Sequence, residues 1–519
     1  MIGARALLGT LTSSGVDVCF ANPGTSEMHV VAALGTTPAM RPVLTLFEGV
    51  ATGAADGYGR MAGRPAAVLL HLGPGLGNGL ANLHNARRAG TPIVTVVGEH
   101  ATHHRSYDAP LQSDIQAVAG SVSGWLRTSE SPADVGRDTA AAVVAARGGR
   151  VATLVLPADV SWSDGAAVAP AAPVPARREA DPGALRAAAD ALASGQPCVL
   201  LIGGDACHAD GLAAADRVAR GTGAKLLAET FPARMARGAG VPRIGRLGYL
   251  VEMAQHQLAG ARHLVLVGAR SPVSFFAYPG KPGDLVPDGC AVHHVVPAFG
   301  QAAAGLVELA ELLAPGTRAD VVPAVRRPDL PAGPLTAESA AAVVGALLPE
   351  GAIVVDEAVT SGLGLPDATA GAPRHDWLTL TGGAIGYGLP AATGAAIACP
   401  GRPVWCLEAD GSAMYTVSAL WTQAREGLDV TTIVYRNDTY AILRMELAQV
   451  GVEPGPGGAR ARSLIDLAPP HLDFVALASG MGVPAERADT AEDLAAALGR
   501  AAAEPGPYLV EAVVPPLVP

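Results

Sequence analysis

The stretch EADGSAMYTVSALWTQAREGLDVTTIVYRNDTY (408–440) contains the pattern that decides the fold. An apolar strand, VWCLEA (404–409), runs into Asp410, a helical segment follows, and a second strand, TTIVYRN (431–437), ends in Asn437. This alternation predicts a parallel β-α-β unit. Because the carboxyl ends of neighbouring parallel strands meet at one edge of a sheet, we expect Asp410 and Asn437 to lie close together.

Oxygen ligands at that edge indicate a magnesium site. A carboxylate, an amide oxygen and a backbone carbonyl are hard ligands, and they suit Mg²⁺, which takes its remaining ligands from phosphate groups. Gly411 would let the backbone approach a phosphate oxygen, and Ser412 would add a donor at the start of the helix. Two ordinary turns, Asp-Gly and Asn-Asp, are the alternative, but the ordered pair with a strand before each favours a Mg²⁺-diphosphate site.

The same segment resembles the thiamine-diphosphate motif, which is written GDG followed one β-α-β unit later by NN or ND. DGSAMYTVSALWTQ and NDTYAILR are most similar to the benzoylformate decarboxylase and acetolactate synthase group. The resemblance implies that thiamine diphosphate is the cofactor and that Asp410, Asn437 and the Thr439 carbonyl ligate Mg²⁺. Ala409 departs from the family, which usually has Gly at that position.

A second acidic residue near a strand end is Glu48, in TLFEGVATGAADGYGRM (45–61). A Glu at that position, against apolar packing, is expected to be partly desolvated, which raises a carboxyl pKa and helps proton exchange with a ring nitrogen. The run from Phe20 to Asn85 resembles the family's pyrimidine-binding domain, and the resemblance implies that Glu48 activates the cofactor by bonding its pyrimidine ring. The alternative is a Glu that complements a helix dipole.

Two segments resemble the substrate cavity of benzoylformate decarboxylases. FANPGTSEMH (20–29) is similar to a loop that lines the cavity, and the resemblance assigns Thr25 to the substrate, with Ser26 beside it. His71 matches a proton-relay His of those decarboxylases, which acetolactate synthases usually lack. A His can shuttle protons near neutral pH. A strand-end His bonded to the backbone is the alternative.

The segment GEHATHHRSYDAPLQSDI (98–115) contains three closely spaced histidines, His100, His103 and His104. No helix is evident that would place them on one face, and no acidic partner has suitable spacing, so a substrate-side loop is favoured over a zinc site. Gln112 stands where acetolactate synthases have a Gln at the edge of the active site. The resemblance therefore implies a catalytic role for Gln112.

Two glycine-rich segments are interpreted as places of close approach. GPGLGN (73–78) is predicted to be a turn next to the thiazolium or the substrate, and not a dinucleotide fingerprint. LTGGAIGYGLPAATGAA (380–396) resembles the segment that lies under the thiamine rings. The resemblance implies that Ile385 wedges the cofactor and that the Gly383 carbonyl accepts a hydrogen bond from its aminopyrimidine.

Two Pro/Ala-rich segments, 167–183 and 321–339, have the composition of linkers. Apolar, β-branched runs bounded by Gly or Pro alternate with helical stretches on both sides of them, which is typical of α/β domains. We therefore predict three α/β domains, each with a mainly parallel sheet flanked by helices: a pyrimidine-binding domain over 1–165, a central domain over 180–325 and a diphosphate-binding domain over 335–519.

Composition excludes several classes of partner. The chain has a net charge of -11 and no long basic run, so nucleic acid is not an expected partner. No apolar run reaches the roughly 18 residues that a membrane span needs, and the N-terminus lacks the basic region and cleavage site of a signal peptide. The six cysteines form no CxxC pair, which favours reduced thiols and a cytoplasmic location.

The central block carries no flavin signature. Acetolactate synthases that hold FAD have a GxRFDDR-like run, whereas this chain has GARSPVSFFAYPGKPG (268–283), so we predict that FAD does not bind. By the resemblance, Phe275 stands where benzoylformate decarboxylase has a second catalytic His, and its lack of a proton donor argues against the same reaction by the same route.

The resemblance extends over nearly the whole chain. It implies a thiamine-diphosphate-dependent decarboxylase or carboligase that acts on a 2-oxo acid, and acetolactate synthase is the named activity that it favours. It also implies a homodimer or homotetramer with active sites at the subunit interface. The alternatives are a thiamine-diphosphate lyase or oxidase acting on another substrate, such as an acyl-CoA or a 2-hydroxy ketone, and a non-catalytic regulatory homologue.

Overall fold

Three mainly parallel sheets, each flanked by helices, organise the chain in the computed structural model, which describes residues 1–451 and 456–516. The fold class predicted from the sequence is confirmed. The central strands are short, rich in Val, Leu and Ile and buried along their length, because helices cover both faces of the sheets. Among the described residues, no helix is both long and apolar enough to cross a membrane.

The first sheet has six strands, all parallel: β1 (Val18–Ala21), β2 (Arg41–Leu44), β3 (Ala66–His71), β4 (Ile93–Glu99), β5 (Trp125–Thr128) and β6 (Val151–Pro157). The helices around it are α1 (Gly3–Ser13), α2 (Met28–Leu34), α3 (Glu48–Ala62), α4 (Leu72–Ala89), α5 (Ile115–Gly120), α6 (Pro132–Arg147) and α7 (Ala158–Trp162). The strand order β2-β1-β3-β4-β6-β5 places β3 between β1 and β4. The carboxyl ends of these three strands therefore meet at one edge.

The second sheet has five strands in the order β10-β8-β7-β11-β12. The strands of the central block are β7 (Cys198–Ile202), β8 (Lys225–Ala228), β9 (Met235–Arg237), β10 (Gly245–Arg246), β11 (His263–Val267) and β12 (Ala291–Val296). The helices of this block are α8 (Pro182–Ala193), α9 (Ala209–Thr222), α10 (Val251–Leu258) and α11 (Ala302–Leu313).

The third sheet has seven strands in the order β17-β18-β16-β15-β13-β14-β9. Its C-terminal strands are β13 (Ile353–Glu357), β14 (His375–Thr379), β15 (Val404–Ala409), β16 (Val430–Arg436), β17 (Ala485–Ala488) and β18 (Tyr508–Val513). Its helices are α12 (Ala337–Leu347), α13 (Leu365–Ala368), α14 (Gly388–Ala398), α15 (Asp410–Thr416), α16 (Ala419–Glu426), α17 (Ala441–Gln449), α18 (Pro456–Arg462), α19 (Phe474–Gly480) and α20 (Ala491–Ala503). Here β15 and β16 are neighbours and parallel.

One strand of the third sheet, β9, comes from the central block, which the sequence analysis did not predict. It pairs antiparallel with β14, and Arg237 at its end stacks on the Trp377 ring with its guanidinium carbon 5.2 Å from the ring centroid. A three-residue strand has too little periodicity to be found from sequence. Its effect is to cover an edge of the third sheet that would otherwise present unpaired backbone groups.

The first and third sheets are joined by the helices α3 and α14, which pack at very short range. A Cβ on Gly57 would overlap the Ala391 carbonyl oxygen, and a Cβ on Gly394 would overlap that of Ala54. Small residues on both helices therefore set the distance between the two layers. This contact brings the start of α3, where Glu48 lies, towards the start of α14.

Candidate active site

The edge of the third sheet brings Asp410 and Asn437 together. Asp410 is the first residue of α15, immediately after β15, and Asn437 follows β16. The Asp410 carboxylate accepts hydrogen bonds from the backbone N–H groups of Asn437 (3.0 Å) and Asp438 (2.7 Å) with one oxygen and from that of Gly411 (2.8 Å) with the other. The side chain is thus fixed between the two strand ends by three donors.

The donor set at this edge fits Mg²⁺. Asp410 is 2% exposed, and burial raises its pKa to about 6, although the three N–H groups lower it in part. Asn437 and Thr439 are also buried, and the Asn437 side-chain oxygen accepts from the Thr439 N–H at 3.1 Å. Within residues 1–451 and 456–516 no group of three or more His, Cys, Asp or Glu side chains could hold a metal alone. The set would therefore be completed by oxygen atoms from outside the protein, as a Mg²⁺-diphosphate site requires.

The turn around Gly411 explains the departure at Ala409. Ala409 has φ -85° and ψ 147°, an extended conformation that any residue adopts, so the backbone there does not require Gly. Gly411 is different, because a Cβ there would overlap the ring of Tyr440. Ser412 is buried in the first turn of α15.

The segment expected under the thiamine rings forms a tight turn before α14. Gly383 (φ +75°) and Gly386 (φ +88°) have left-handed backbone conformations that favour glycine. Ile385 lies between them and is half-buried. Asn85 of α4 holds the turn from the other side, since its amide donates to the Ala384 carbonyl at 2.8 Å and its oxygen accepts the Ala384 N–H at 3.2 Å.

A buried carboxylate, Glu357, clamps the end of this turn. It accepts the backbone N–H groups of Gly386, Tyr387 and Gly388 at 2.9, 2.8 and 2.6 Å. Glu408 lies directly opposite it on β15, and both side chains are buried. Burial raises the pKa of Glu357 to about 7, and burial together with the Glu357 charge raises that of Glu408 well above its usual range. The pair therefore shares a proton near neutral pH.

This pair gives the protein a pH-dependent stability. The folded-state pKa of Glu357 lies above the value of 4.5 for an unperturbed Glu, so protonation of Glu357 stabilises the folded state. This stabilisation is complete below about pH 4.5 and is lost as pH rises through about 7. We expect the cofactor-free protein to lose unfolding free energy over that range, and Glu408→Gln to lose clearly less, because only one of the two buried carboxyl groups with a raised pKa then remains to lose a proton. Urea unfolding of both proteins across this pH range measures the difference; parallel pH curves would contradict it.

At the edge of the first sheet, Glu48 is the first residue of α3 and is 8% exposed. Asn78 of α4 donates to one Glu48 oxygen at 3.0 Å. A Cβ on Gly75 would lie 3.2 Å from the other Glu48 oxygen and 3.3 Å from the Cβ of His71, so Glu48 and His71 flank this glycine. The Glu48 carboxylate thus lies between α3 and α4, and the absence of a side chain at Gly75 leaves room beside it.

The predicted turn at 73–78 is wrong, because α4 begins at Leu72 and these residues are helical. The glycines are nevertheless at places of close approach. A Cβ on Gly73 would overlap the Ser113 hydroxyl, whereas Gly77 has nothing within 4 Å. The first turn of α4 therefore uses glycine to admit neighbouring polar side chains, which a sequence reading does not distinguish from a loop.

His71, the last residue of β3, is paired with a buried Glu27. The His71 Nδ1 lies 2.8 Å from a Glu27 carboxylate oxygen and 3.3 Å from the Ser26 hydroxyl. Glu27 is 1% exposed, and burial raises its pKa, although His71 and the Gly24 N–H lower it in part. Thr25, two residues before Glu27, is exposed at the start of the short 3-10 helix Thr25–Glu27. The arrangement can hold and move a proton at the strand edge.

Comparison with known proteins agrees with this geometry. Residues 1–119 match the family model for the N-terminal TPP binding domain of thiamine pyrophosphate enzymes, and residues 368–512 match the model for the C-terminal TPP binding domain. The chain belongs to the thiamine pyrophosphate enzyme family. Thiamine pyrophosphate is the same compound as thiamine diphosphate, so the cofactor class predicted from the sequence is confirmed.

Relatives of known name cover the whole chain. It is 64% identical over the full length of both chains to a Mycobacterium tuberculosis protein named "Putative acetolactate synthase large subunit IlvX". It is 31% identical to the benzoylformate decarboxylase of Pseudomonas aeruginosa, with 96% of each chain covered. The structure of a Rhodococcus jostii thiamine-diphosphate-dependent 4-hydroxybenzoylformate decarboxylase matches with a TM-score of 0.85 and 26% identity over 99% of each chain. The protein is therefore a thiamine-diphosphate enzyme related to acetolactate synthase and benzoylformate decarboxylase.

The loop after β4 lies beside the start of α4, where a Cβ on Gly73 would overlap the Ser113 hydroxyl. Gln112 and the three histidines of the sequence analysis lie on this loop, and the His100 and His104 rings are 5.5 Å apart. Burial raises the pKa of Glu99, at the end of β4, while Arg105 and the side chain of Gln112 lower it in part. Residues 100–114 are irregular apart from the short 3-10 helix Arg105–Tyr107, and the expected position of this loop beside the substrate stays a prediction.

In the central block, Phe275 packs in an aromatic group rather than at a polar centre. Its ring lies 5.4 Å from that of Phe231 and 4.8 Å from that of Tyr249, measured between centroids. An apolar side chain thus occupies the position where the resemblance to benzoylformate decarboxylase would place a second catalytic His.

Several of the site's polar residues were not singled out from the sequence, among them Glu27, Asn78 and Glu357. Glu27 was visible as an acid in the loop 20–29, and Glu357 as an acid ending a strand. Asn78 could be placed only after α4 was known to be a helix, because its position about two turns along the helix from His71 depends on helical geometry.

Proposed function

We propose that the chain is a Mg²⁺-dependent thiamine-diphosphate enzyme that decarboxylates a 2-oxo acid and either releases an aldehyde or joins the product carbon to a second carbonyl compound. The observation that carries the proposal is the presence of both halves of the site. The Asp410–Asn437 edge supplies oxygen ligands for Mg²⁺, and the Glu48–His71 edge supplies proton-transfer groups.

At the diphosphate half, Asp410, Asn437 and the Thr439 carbonyl would hold Mg²⁺, with Gly411 and Ser412 beside the phosphates. Gly383 and Ile385 would position the cofactor rings, because the turn that carries them is fixed by Glu357 and Asn85. Bound there, thiamine diphosphate would supply a carbon nucleophile and an electron sink for the departing carboxylate.

At the other half, the protein's own residues would manage protons. Glu48 would exchange a proton with the pyrimidine ring, and its hydrogen bond from Asn78 keeps the carboxylate oriented. His71, held by Glu27, would donate the proton that completes an aldehyde product. Thr25 and Gln112 would border the substrate. The reaction then breaks the bond between the carboxyl carbon and the carbonyl carbon, releases CO₂ and places a proton on the carbonyl carbon.

The proton donor separates the two possible products. We expect His71→Ala to lower aldehyde formation by about 100-fold, the usual size of a lost general acid, and to lower formation of 2-hydroxy ketone much less. Proton NMR of the products from a 2-oxo acid, with Mg²⁺ and thiamine diphosphate present, measures both. His256→Ala, which removes an exposed His on α10 in the central block, is the control. Equal loss of both products in His71→Ala would overturn the assigned role.

We further propose that the active enzyme is a homodimer or a dimer of dimers in which the first-sheet edge of one subunit faces the third-sheet edge of the next. Support comes from apolar side chains exposed near these edges, including Leu46 (50% exposed) and Tyr415 (55%).

Mixing two inactive variants tests this arrangement. If Glu48 and Asp410 act across the interface, hybrids of Glu48→Gln and Asp410→Ala subunits contain one site with both wild-type halves. Refolding an equal mixture should then restore up to about a quarter of wild-type activity. Each variant refolded alone is the control, and no gain on mixing would place both halves of the site in one subunit.

A further inference from the structure

The loop after β4 contains a group of polar residues, here called the loop cluster: Glu99, His100, Arg105, Gln112 and Ser113. Of these, the proposed reaction uses only Gln112, at the border of the substrate. Among the described residues, several of the cluster's buried atoms have no hydrogen-bond partner, namely Nε and Nη2 of Arg105, Oε1 of Gln112, Oγ of Ser113 and Nε2 of His100. Each such group costs about 1–3 kcal/mol when it stays unpaired, so their concentration in one loop points to a ligand.

The loop cluster adjoins the proton-transfer groups. β4, which ends at Glu99, pairs with β3 so that Gly98 lies beside His71. A Cβ on Gly98 would overlap the Glu27 carboxylate, and a Cβ on Gly73 would overlap the Ser113 hydroxyl. The cluster therefore continues the wall formed by His71 and Glu27, one strand farther along the sheet edge.

The hydrogen-bonding capacity within the cluster is only partly used. The Arg105 Nε lies 3.5 Å from a Glu99 oxygen, which is longer than a good charge-assisted hydrogen bond. Glu99 has other donors near it, since its carboxylate accepts the His100 N–H at 3.3 Å and the Gln112 side chain also interacts with it. The Arg105 guanidinium thus keeps buried N–H groups that can bind a planar, anionic acceptor, for which its geometry is suited.

We propose that Arg105 binds a carboxylate at the far end of the substrate, so that the preferred substrates are 2-oxo dicarboxylic acids; this inference rests on the proposed function. A guanidinium held on the reacting carboxylate would stabilise the ground state, because that charge disappears as CO₂ forms. On a distal carboxylate the same contact persists unchanged through the reaction. The products are then CO₂ and an aldehyde that retains the second carboxylate, with the proton taken up at the former carbonyl carbon.

A matched pair of substrates tests the proposal in the reconstituted holoenzyme. 2-Oxoglutarate and 2-oxopentanoate have the same carbon chain and differ in the distal carboxylate. We expect the wild type to favour 2-oxoglutarate, and Arg105→Gln to lower its kcat/KM for 2-oxoglutarate by about 100-fold, mostly through KM, while its value for 2-oxopentanoate changes less than about twofold. Ser106→Ala, an exposed neighbour, should change neither.

Two results would overturn the assignment: no preference of the wild type for the dicarboxylate, or an equal loss for both substrates in Arg105→Gln. A binding measurement separates this failure from failure of the proposed function. Calorimetric titration with glutarate, which cannot be decarboxylated, should show binding to the wild type and at least tenfold weaker binding to Arg105→Gln. Glutarate binding without turnover of any 2-oxo acid would retain the Arg105 site and reject the decarboxylase. Turnover of 2-oxopentanoate without glutarate binding would do the reverse.

Discussion

Glu48→Gln is expected to lower turnover by about 10³-fold or more while cofactor binding stays within a few-fold of the wild type. Gln has nearly the same shape as Glu and can still accept the hydrogen bond that Asn78 donates to Glu48. It cannot exchange a proton with the pyrimidine ring, so only the chemical activation is lost. Steady-state turnover and thiamine diphosphate titration, both with saturating Mg²⁺, measure the two quantities separately.

The alternative for Glu48 is a purely electrostatic role at the start of α3, where a carboxylate contributes about 0.3–1 kcal/mol to helix stability. Glu338 provides the matched control, because it lies in the first turn of α12 and is not part of the site. Glu338→Gln should reproduce any effect of the helix dipole and leave turnover unchanged. Normal turnover in Glu48→Gln would reject its catalytic assignment.

Asp410→Ala is expected to weaken binding of Mg²⁺ and thiamine diphosphate by about 100-fold or more, because the site loses its one carboxylate ligand. The same change leaves the N–H groups of Gly411, Asn437 and Asp438 without their acceptor. Removing the carboxylate also relieves the cost of burying its charge, so the unfolding free energy of the cofactor-free protein should fall by less than the roughly 1–3 kcal/mol expected from the unpaired N–H groups alone. Calorimetric titration and urea unfolding measure the two effects.

Asp429→Ala is the control for this prediction. Asp429 is exposed and lies just before β16, at the opposite end of the strand that leads to Asn437. It should alter neither cofactor affinity nor stability by a measurable amount. Wild-type cofactor affinity in Asp410→Ala would contradict the proposed metal site.

The parts of this site that could be predicted from sequence follow from local order along the chain. Asp410 and Asn437 were expected to meet because each follows a strand of one β-α-β unit, and the sheet order places β15 next to β16. Glu48 was expected at the other edge for a similar reason. The three-sheet architecture was predictable because its strands are buried, β-branched and separated by helical segments.

The remaining parts depend on contacts between distant segments. Glu27 and His71 are 44 positions apart and meet only because β1 and β3 are neighbours in the sheet. Glu357 and Glu408 face each other through the pairing of β13 with β15, which sequence spacing does not specify. The glycines of 73–78 were misassigned because glycine marks close approach in a helix as well as in a turn.

The central claim is that the protein removes CO₂ from a 2-oxo acid by means of thiamine diphosphate, and proton NMR tests it most directly. The protein is incubated with Mg²⁺ and thiamine diphosphate, and with pyruvate, 2-oxopentanoate, benzoylformate or 2-oxoglutarate. We predict that at least one acid is consumed and yields CO₂ with an aldehyde or a 2-hydroxy ketone, and that omitting either Mg²⁺ or the cofactor stops the reaction. Tight binding of thiamine diphosphate with no consumption of any of these acids would contradict the claim.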